Sequence, residues 1–190
     1  MNAIRTMTRL IILAALVGVM VGLATPVFAG PNDCPILLRG FLTNDPALVD
    51  AFAAFESGDC PKALKIFKEF SARENANAQN NVGVFYEAGL GLKKNDEVAE
   101  RWYRKAAERG QIDAQFNLAT ILVADLMMGL KPRDQRTKAE LFVETLKWVS
   151  LAAAKGHEGA IVGVKRLGKQ MTPAKISEAQ KLAREWKPKK

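Results

Sequence analysis

One histidine, two cysteines and twenty carboxylates are the residues of this 190-residue chain from which catalysis or metal binding could be built. His157 follows Gly156, where a helix is expected to end, and reads as a solvated turn histidine. One histidine and two cysteines do not make a cluster with zinc-ligand spacing. Neither a metal nor a cofactor is therefore expected. The carboxylate pairs Glu56 with Asp59 and Glu87 with Asp96 could serve as acid and base only if burial split their pKa values. At helix ends they are expected to be solvated. The stretch Gly89-Leu90-Gly91-Leu92-Lys93-Lys94 resembles a phosphate loop only superficially, because it lacks the G-x-x-x-x-G-K-[ST] spacing and a strand before it. It reads as a turn, and an enzyme is not expected.

The amino terminus bears on the cysteines. Arg5 and Arg9 precede an uncharged apolar run from Leu10 to Ala24, followed by Pro26 and the small-residue exit Val27-Phe28-Ala29. This is the layout of a secretory signal peptide over residues 1–29, and the run is shorter than the roughly 20 residues that span a bilayer. Contact with the membrane is expected only in transit, with cleavage near Ala29; retention as an anchor helix is the alternative. Cys34 lies five residues after Ala29, too far for a lipoprotein site. Removing residues 1–29 takes away two arginines and no acid, so the formal charge falls from +8 to +6. The expected location is the periplasm, or alternatively the exterior. An oxidising compartment favours a Cys34–Cys60 disulfide over two free thiols. Closing that loop is worth roughly 3 to 4 kcal/mol on the chain-entropy model.

The carbon skeleton that must position these groups is a repeat. Residues 98–117, VAERWYRKAAERGQIDAQFN, align with residues 62–81, KALKIFKEFSARENANAQNN, at an offset of 36. Ala99 falls on Ala63, Trp102 on Ile66, Tyr103 on Phe67, and Ala114-Gln115 on Ala78-Gln79. A third copy, LKWVSLAAAKGHEGAI at residues 146–161, aligns Trp148 with Trp102 and Gly156 with Gly110 at an offset of 46, so about ten residues are inserted. Helical periodicity, with Asn95 as a cap, Asp96 and Glu97 in the first turn and Gly110 as a stop, predicts two helices per unit. Val98, Trp102 and Ala106 read as the apolar stripe of the second helix, which only a stacked neighbour can bury. Helices are predicted over residues 46–57, 61–72, 77–88, 96–109, 113–127, 138–155, 158–168 and 173–186. No strand pattern is present.

The segment AQNNVGVFYEAGLGLKKNDEVAERWYRKAAERGQIDAQFNLA, with KWVSLAAAKGHEGA, resembles Sel1-like repeats, relatives of the tetratricopeptide repeat. The resemblance implies an all-α, right-handed α-solenoid of about three helix hairpins, at residues 46–77, 78–113 and 114–159 with a partial unit at 160–168. An amino-terminal segment, residues 30–45, precedes them. Residues 169–190 form a capping helix and basic tail, the helix presenting Ile176, Ala179, Leu182-Ala183 and Trp186 on one face. The family resemblance also implies a scaffold or adaptor that binds protein and does not catalyse. The chain departs from the pattern at Glu74 and Asp125, both where glycine is expected, and in a short turn from Ser57 to Cys60.

Three surfaces are candidates for a partner. Asn81 and Asn117 occupy equivalent places on successive first helices and could hold the backbone of an extended peptide; inter-helix hydrogen bonding is the alternative. The insertion sets Met127 and Met128 beside Arg133 and Arg136, suited either to a contact or to an extended, self-packed helix. From Gly163 to Lys190 there are nine lysines and arginines against two acids, which could meet an anionic polymer or lipid head groups, or form a solvated cap and a frayed tail. Export, and the lack of aromatic residues interleaved with the lysines, exclude nucleic acid as the target.

Overall fold

The computed structural model describes residues 34, 42–127 and 137–189. The expected signal peptide, most of the segment 30–41, and Met128, Arg133 and Arg136 lie outside the described residues. Every regular element among the described residues is helical. A 3-10 turn, Pro46–Leu48, leads into α1 (Val49–Glu56), α2 (Cys60–Ala72), α3 (Ala76–Ala88), α4 (Asp96–Glu108), α5 (Ile112–Met127), α6 (Lys138–Ala154), α7 (Glu158–Gly168) and α8 (Pro173–Glu185). The chain is all-α, and its helices form the hairpins of an α-solenoid. They divide into two compact units, with the division inside α5: one ends at Gln115 and also takes in Pro188, and the other runs from Phe116 to Lys187.

In the first unit, side chains that satisfy free backbone amides set the helix starts. Asp59 accepts from Lys62 N at the start of α2, Asn75 from Ala78 N at the start of α3 and Asn95 from Val98 N at the start of α4. Gly89 ends α3 in the left-handed region, with φ 75°. Asp125, at the corresponding place on α5, carries a Cβ, and that helix runs on to Met127. The core of α1 to α3 is aromatic. Phe67 packs edge-on against Phe52 and Phe85, both with ring centroids 5.5 Å apart, and Phe55 meets Phe85 at 6.0 Å. Cys60, wholly buried at the start of α2, is joined to Cys34 with Cα atoms 5.2 Å apart.

The inner face of α4 is turned one residue from the expected stripe. Ala99, Tyr103, Ala106 and Ala107 are fully buried, whereas Val98 and Trp102 are only half-buried, and Lys105 Nζ lies 4.6 Å from the centre of the Trp102 ring. The cause is a close approach at Gly83 on α3, where a Cβ would stand 2.5 Å from the Tyr103 ring. Glycine admits the tyrosine, and the tryptophan beside it is left at the rim. Two buried glutamines tie successive hairpins together. Gln79 Nε2 donates to Ser71 O and Gln115 Nε2 to Ala107 O, each at 3.3 Å and one repeat length apart.

In the second unit, Thr137 opens α6 with a reciprocal capping box to Glu140. Leu141, Leu146, Trp148, Val149 and Ala152 are buried on its inner face. Gly163 lets α7 approach α6, since a Cβ there would lie 2.9 Å from Val149 Cγ2. On α8, Ala179 is fully buried and Trp186 meets Trp148 edge-on at 6.0 Å, but Leu182 is 42% exposed. The capping face is therefore narrower than expected, since Ala179 is buried and Trp186, just past the helix, packs on Trp148, while Leu182 is left largely in solvent.

Trp148, 2% exposed, and Trp102 align in sequence but not in environment. Trp148→Ala is expected to cost roughly 3 to 5 kcal/mol in urea unfolding. Trp102→Ala should cost about 1 kcal/mol, and equal losses would contradict the assigned inner faces. Glu74 adopts φ 63° at the turn where Gly110 and Gly156 have 88° and 85°. Its side chain is mostly exposed and pairs with Arg109, a contact worth little in water. Glu74→Gly should raise stability by about 1 kcal/mol by removing left-handed strain; a loss of stability would show that the ion pair outweighs the strain.

Candidate functional site

Several of the residues that could have done chemistry are used to hold the fold. His157 is half-buried and not a solvated turn residue. Its Nδ1 accepts from Ala160 N at 3.2 Å, capping α7, and its ring stacks on Phe116 with centroids 4.2 Å apart. Gly159 completes this contact, since a Cβ there would come within 2.9 Å of the Phe116 ring. Glu87 accepts a 2.7 Å hydrogen bond from the Tyr103 hydroxyl. Burial first, and then the nearby Glu87 carboxylate, push the Tyr103 phenol well above its usual range, so the phenol keeps its proton. Asp96 meets Lys94 at 3.1 Å, Glu56 is exposed, and Asp59 caps α2. Among the described residues no three His, Cys, Asp or Glu side chains are grouped to hold a metal.

A different cluster is concentrated and buried. Asn81 on α3 is wholly inaccessible, and both ends of its amide are engaged by the main chain of Thr43. Thr43 N donates to Asn81 Oδ1 at 2.7 Å, and Asn81 Nδ2 donates to Thr43 O at 3.1 Å. A primary amide offers one donor edge and one acceptor edge, the pair that an extended residue presents. The Thr43 hydroxyl is also saturated. It donates to Asp113 Oδ2 at 2.7 Å and accepts from Asn80 Nδ2 at 2.9 Å and Gln111 Nε2 at 3.0 Å. Gln111 is fixed in turn, because its Oε1 accepts from Ala114 N in the first turn of α5 and its Nε2 also donates to Asp113 Oδ2 at 3.1 Å.

Two residues further on, Asp45 Oδ2 accepts from Asn75 Nδ2 and Asn77 Nδ2, both at 2.9 Å. Its Oδ1 accepts from Ala47 N at 2.9 Å, capping the 3-10 turn. The hydrogen bonds from Asn75 and Asn77, and then from Ala47, hold the Asp45 carboxyl below the usual carboxylate range. Leu42, before Thr43, is buried. The chain's own residues 42–45 thus lie in a polar clamp built from the amino-terminal ends of α3 and α5.

Of the residues singled out from sequence, Asn81 is central to this clamp and bonds to the amino-terminal segment, not to a neighbouring helix. The repeated inter-helix bond is made by Gln79 and Gln115. Asn117 is half-buried on α5 in the second unit, and Met127 is 61% exposed at the end of that helix. Thr43, Asp45, Asn75, Asn77, Asn80, Gln111 and Asp113 were not anticipated as site residues. A signal for them existed in Asn75-Ala76-Asn77-Ala78-Gln79-Asn80-Asn81, five amide residues in a seven-residue stretch that is otherwise alanine. Asparagine disfavours helix interiors, so such a run at a helix start calls for partners outside the helix.

The lowered Asp45 pKa sets the sign of a pH effect. A carboxyl held lower in the folded than in the unfolded chain stabilises the fold above the usual carboxylate range, and that contribution is lost as pH falls through its folded value. Thermal unfolding should therefore show wild type above Asp45→Ala at pH 7, with the gap closing below about pH 4. A gap that stays constant down to pH 2 would mean that Asp45 is not held as an anion.

The chain is similar in sequence to known repeat proteins. The Sel1 repeat family matches residues 76–111 and 112–157. The ERAD-associated E3 ubiquitin-protein ligase component HRD3 of Candida glabrata is 33% identical over 67 residues, which is 35% of this chain and 8% of that protein. The crystal structure of a protective antigen present in uropathogenic Escherichia coli strains, displaying an SLR fold, superposes with a TM-score of 0.60 at 26% identity. That alignment covers 73% of this chain and 28% of the antigen chain, so this chain spans only a small part of either relative. Residues 76–157 of this chain are therefore two Sel1-like repeats set in an all-helical hairpin fold.

Proposed function

We propose that this protein is a non-catalytic scaffold or adaptor that binds another protein in the bacterial periplasm or, if released, outside the cell. Sel1 repeats are generally protein-interaction modules, and the family match brings this chain to that class. One observation carries the proposal furthest. Asn81 already holds an extended peptide backbone through both edges of its amide, so the repeats are built to grip a chain. The sole histidine caps a helix, and the Glu87 carboxylate is tied to Tyr103, which leaves those residues to structure and not to turnover. The Cys34–Cys60 disulfide and the charged and apolar pattern of residues 1–29 support export. HRD3 is by its name a component of a ligase, and a component's role accords with a scaffold.

A second mode has its own support in the nine lysines and arginines from Gly163 to Lys190, which suit an anionic envelope polymer or lipid. Part of that charge is internally paired, since Lys175 meets Glu178 and Lys189 meets Glu108, each at 2.8 Å. Protein binding therefore stands first.

Tagged protein recovered from the periplasmic fraction after crosslinking should carry one discrete protein partner, and its intact mass should begin at Gly30. Retention of the protein in the cytoplasm with residues 1–29 attached would contradict export. Recovery of no protein, with binding instead to anionic polymer that weakens in salt and disappears on truncation after Thr172, would favour the second mode.

A further inference from the structure

Among the clefts, charged patches and buried polar groups of both units, the clamp around Thr43 is the one place where fully buried side chains present donors and acceptors to a segment that has no regular structure of its own. We propose that this clamp is a binding site for an extended peptide from a partner, with an apolar residue, then threonine or serine, and aspartate two residues after the hydroxyl residue, and that residues 42–45 are its resident occupant. The proposal deepens the scaffold function and rests on it.

The pattern follows from what each position touches. The apolar position is that of Leu42, which is buried. The hydroxyl position follows from Thr43, whose single proton goes to Asp113 and whose oxygen takes protons from Asn80 and Gln111. Valine there would take one hydrogen bond from each of those groups, and a lost hydrogen bond at a buried polar group is costly. The next residue, Asn44, is exposed. The aspartate position is read by the paired amides of Asn75 and Asn77. Between these, the main chain of the hydroxyl residue is read by Asn81, which requires extended backbone and a free N–H, so proline is excluded.

The receiving groups are held independently of the occupant. Asn75 caps α3 through Ala78 N and Gln111 caps α5 through Ala114 N, so both stay placed when the segment leaves. Asn80 and Asn81 are fully buried in the occupied clamp, and a vacated clamp would take these partners from five side-chain amides. The segment is also fixed on both sides, by Cys34 bonded to Cys60 and by Leu48, which is wholly buried after the 3-10 turn. Residues 42–45 therefore compete as a tethered ligand at an effective concentration on the order of millimolar. A partner peptide must outcompete that tether, and the site is masked until it does.

The test uses the full chain and a fluorescein-labelled peptide, Leu-Thr-Asn-Asp-Pro-Ala, which repeats residues 42–47. Thr43→Pro removes both the N–H and the hydroxyl of the resident segment, and Asp45→Ala is the alternative variant should Thr43→Pro lose its cooperative unfolding transition. Fluorescence anisotropy should show the displaced variant binding the peptide at least tenfold more tightly than wild type. A peptide with valine for threonine should lose at least tenfold. Adding Asn77→Ala to the displaced variant should shrink the loss caused by alanine in place of the peptide aspartate, a coupling that a nonspecific sticky surface would not give. A folded displaced variant that binds the peptide no better than wild type, or no better than a scrambled peptide, overturns the proposal. If periplasmic crosslinking still captures a protein in that case, the scaffold function stands at another surface and the clamp is only a structural staple. Peptide binding with the predicted coupling but no captured partner would uphold the site and count against the scaffold function.

Discussion

A buried amide side chain must find both a donor and an acceptor, and in this protein that requirement falls on Asn81. The side chain lies within the helical packing of α3, where the backbone of the helix has already used its own hydrogen-bonding groups. Leaving such a group unmet would cost on the order of 1 to 3 kcal/mol. The main chain of Thr43 meets it, and with it come Asn80, Gln111 and Asp113 on the hydroxyl and Asn75 and Asn77 on Asp45. The amino-terminal segment is thereby held across the starts of two consecutive first helices. It is a polar counterpart to the aromatic core of Phe55, Phe67 and Phe85 on the same hairpins.

The repeats themselves are held by a second, periodic set of contacts. Gln79 and Gln115 make the same bond one repeat apart, and the glycines at 83 and 163 let helices approach where a methyl group would collide. Close approach at Gly83 places Tyr103 inside and turns Trp102 to the rim. The same packing draws the half-buried Glu87 into a hydrogen bond with the phenol.

Much of this architecture was legible in the residue order. The caps Asp59, Asn75, Asn95, Thr137 and Thr172 and the glycine stops mark helix ends locally, so the eight helices among the described residues begin and end close to the predicted bounds. The inner face of α4 was less legible, because both Trp102 and Tyr103 are large and aromatic and only Gly83, on the facing helix, decides between them. The alignment of Tyr103 with Phe67 held that information, since both are fully buried. The clamp was legible only in part. Asn81 stood out by its recurrence at Asn117, but its partner lies 38 residues away in a segment without periodicity, and nothing local links the two. Glu74 shows the opposite case: a missing glycine was visible in the sequence, and the backbone still takes the left-handed turn.

The tie between Asn81 and the amino-terminal segment can be measured directly by amide hydrogen exchange on the folded protein. The Thr43 amide should be strongly protected while that of exposed Asn44 exchanges faster, and Asn81→Ala should abolish the Thr43 protection selectively while amides in the core of α3 remain slow. Exchange of the Thr43 amide at the rate of an unstructured peptide in wild-type protein would show that the segment does not occupy the clamp and would contradict the account.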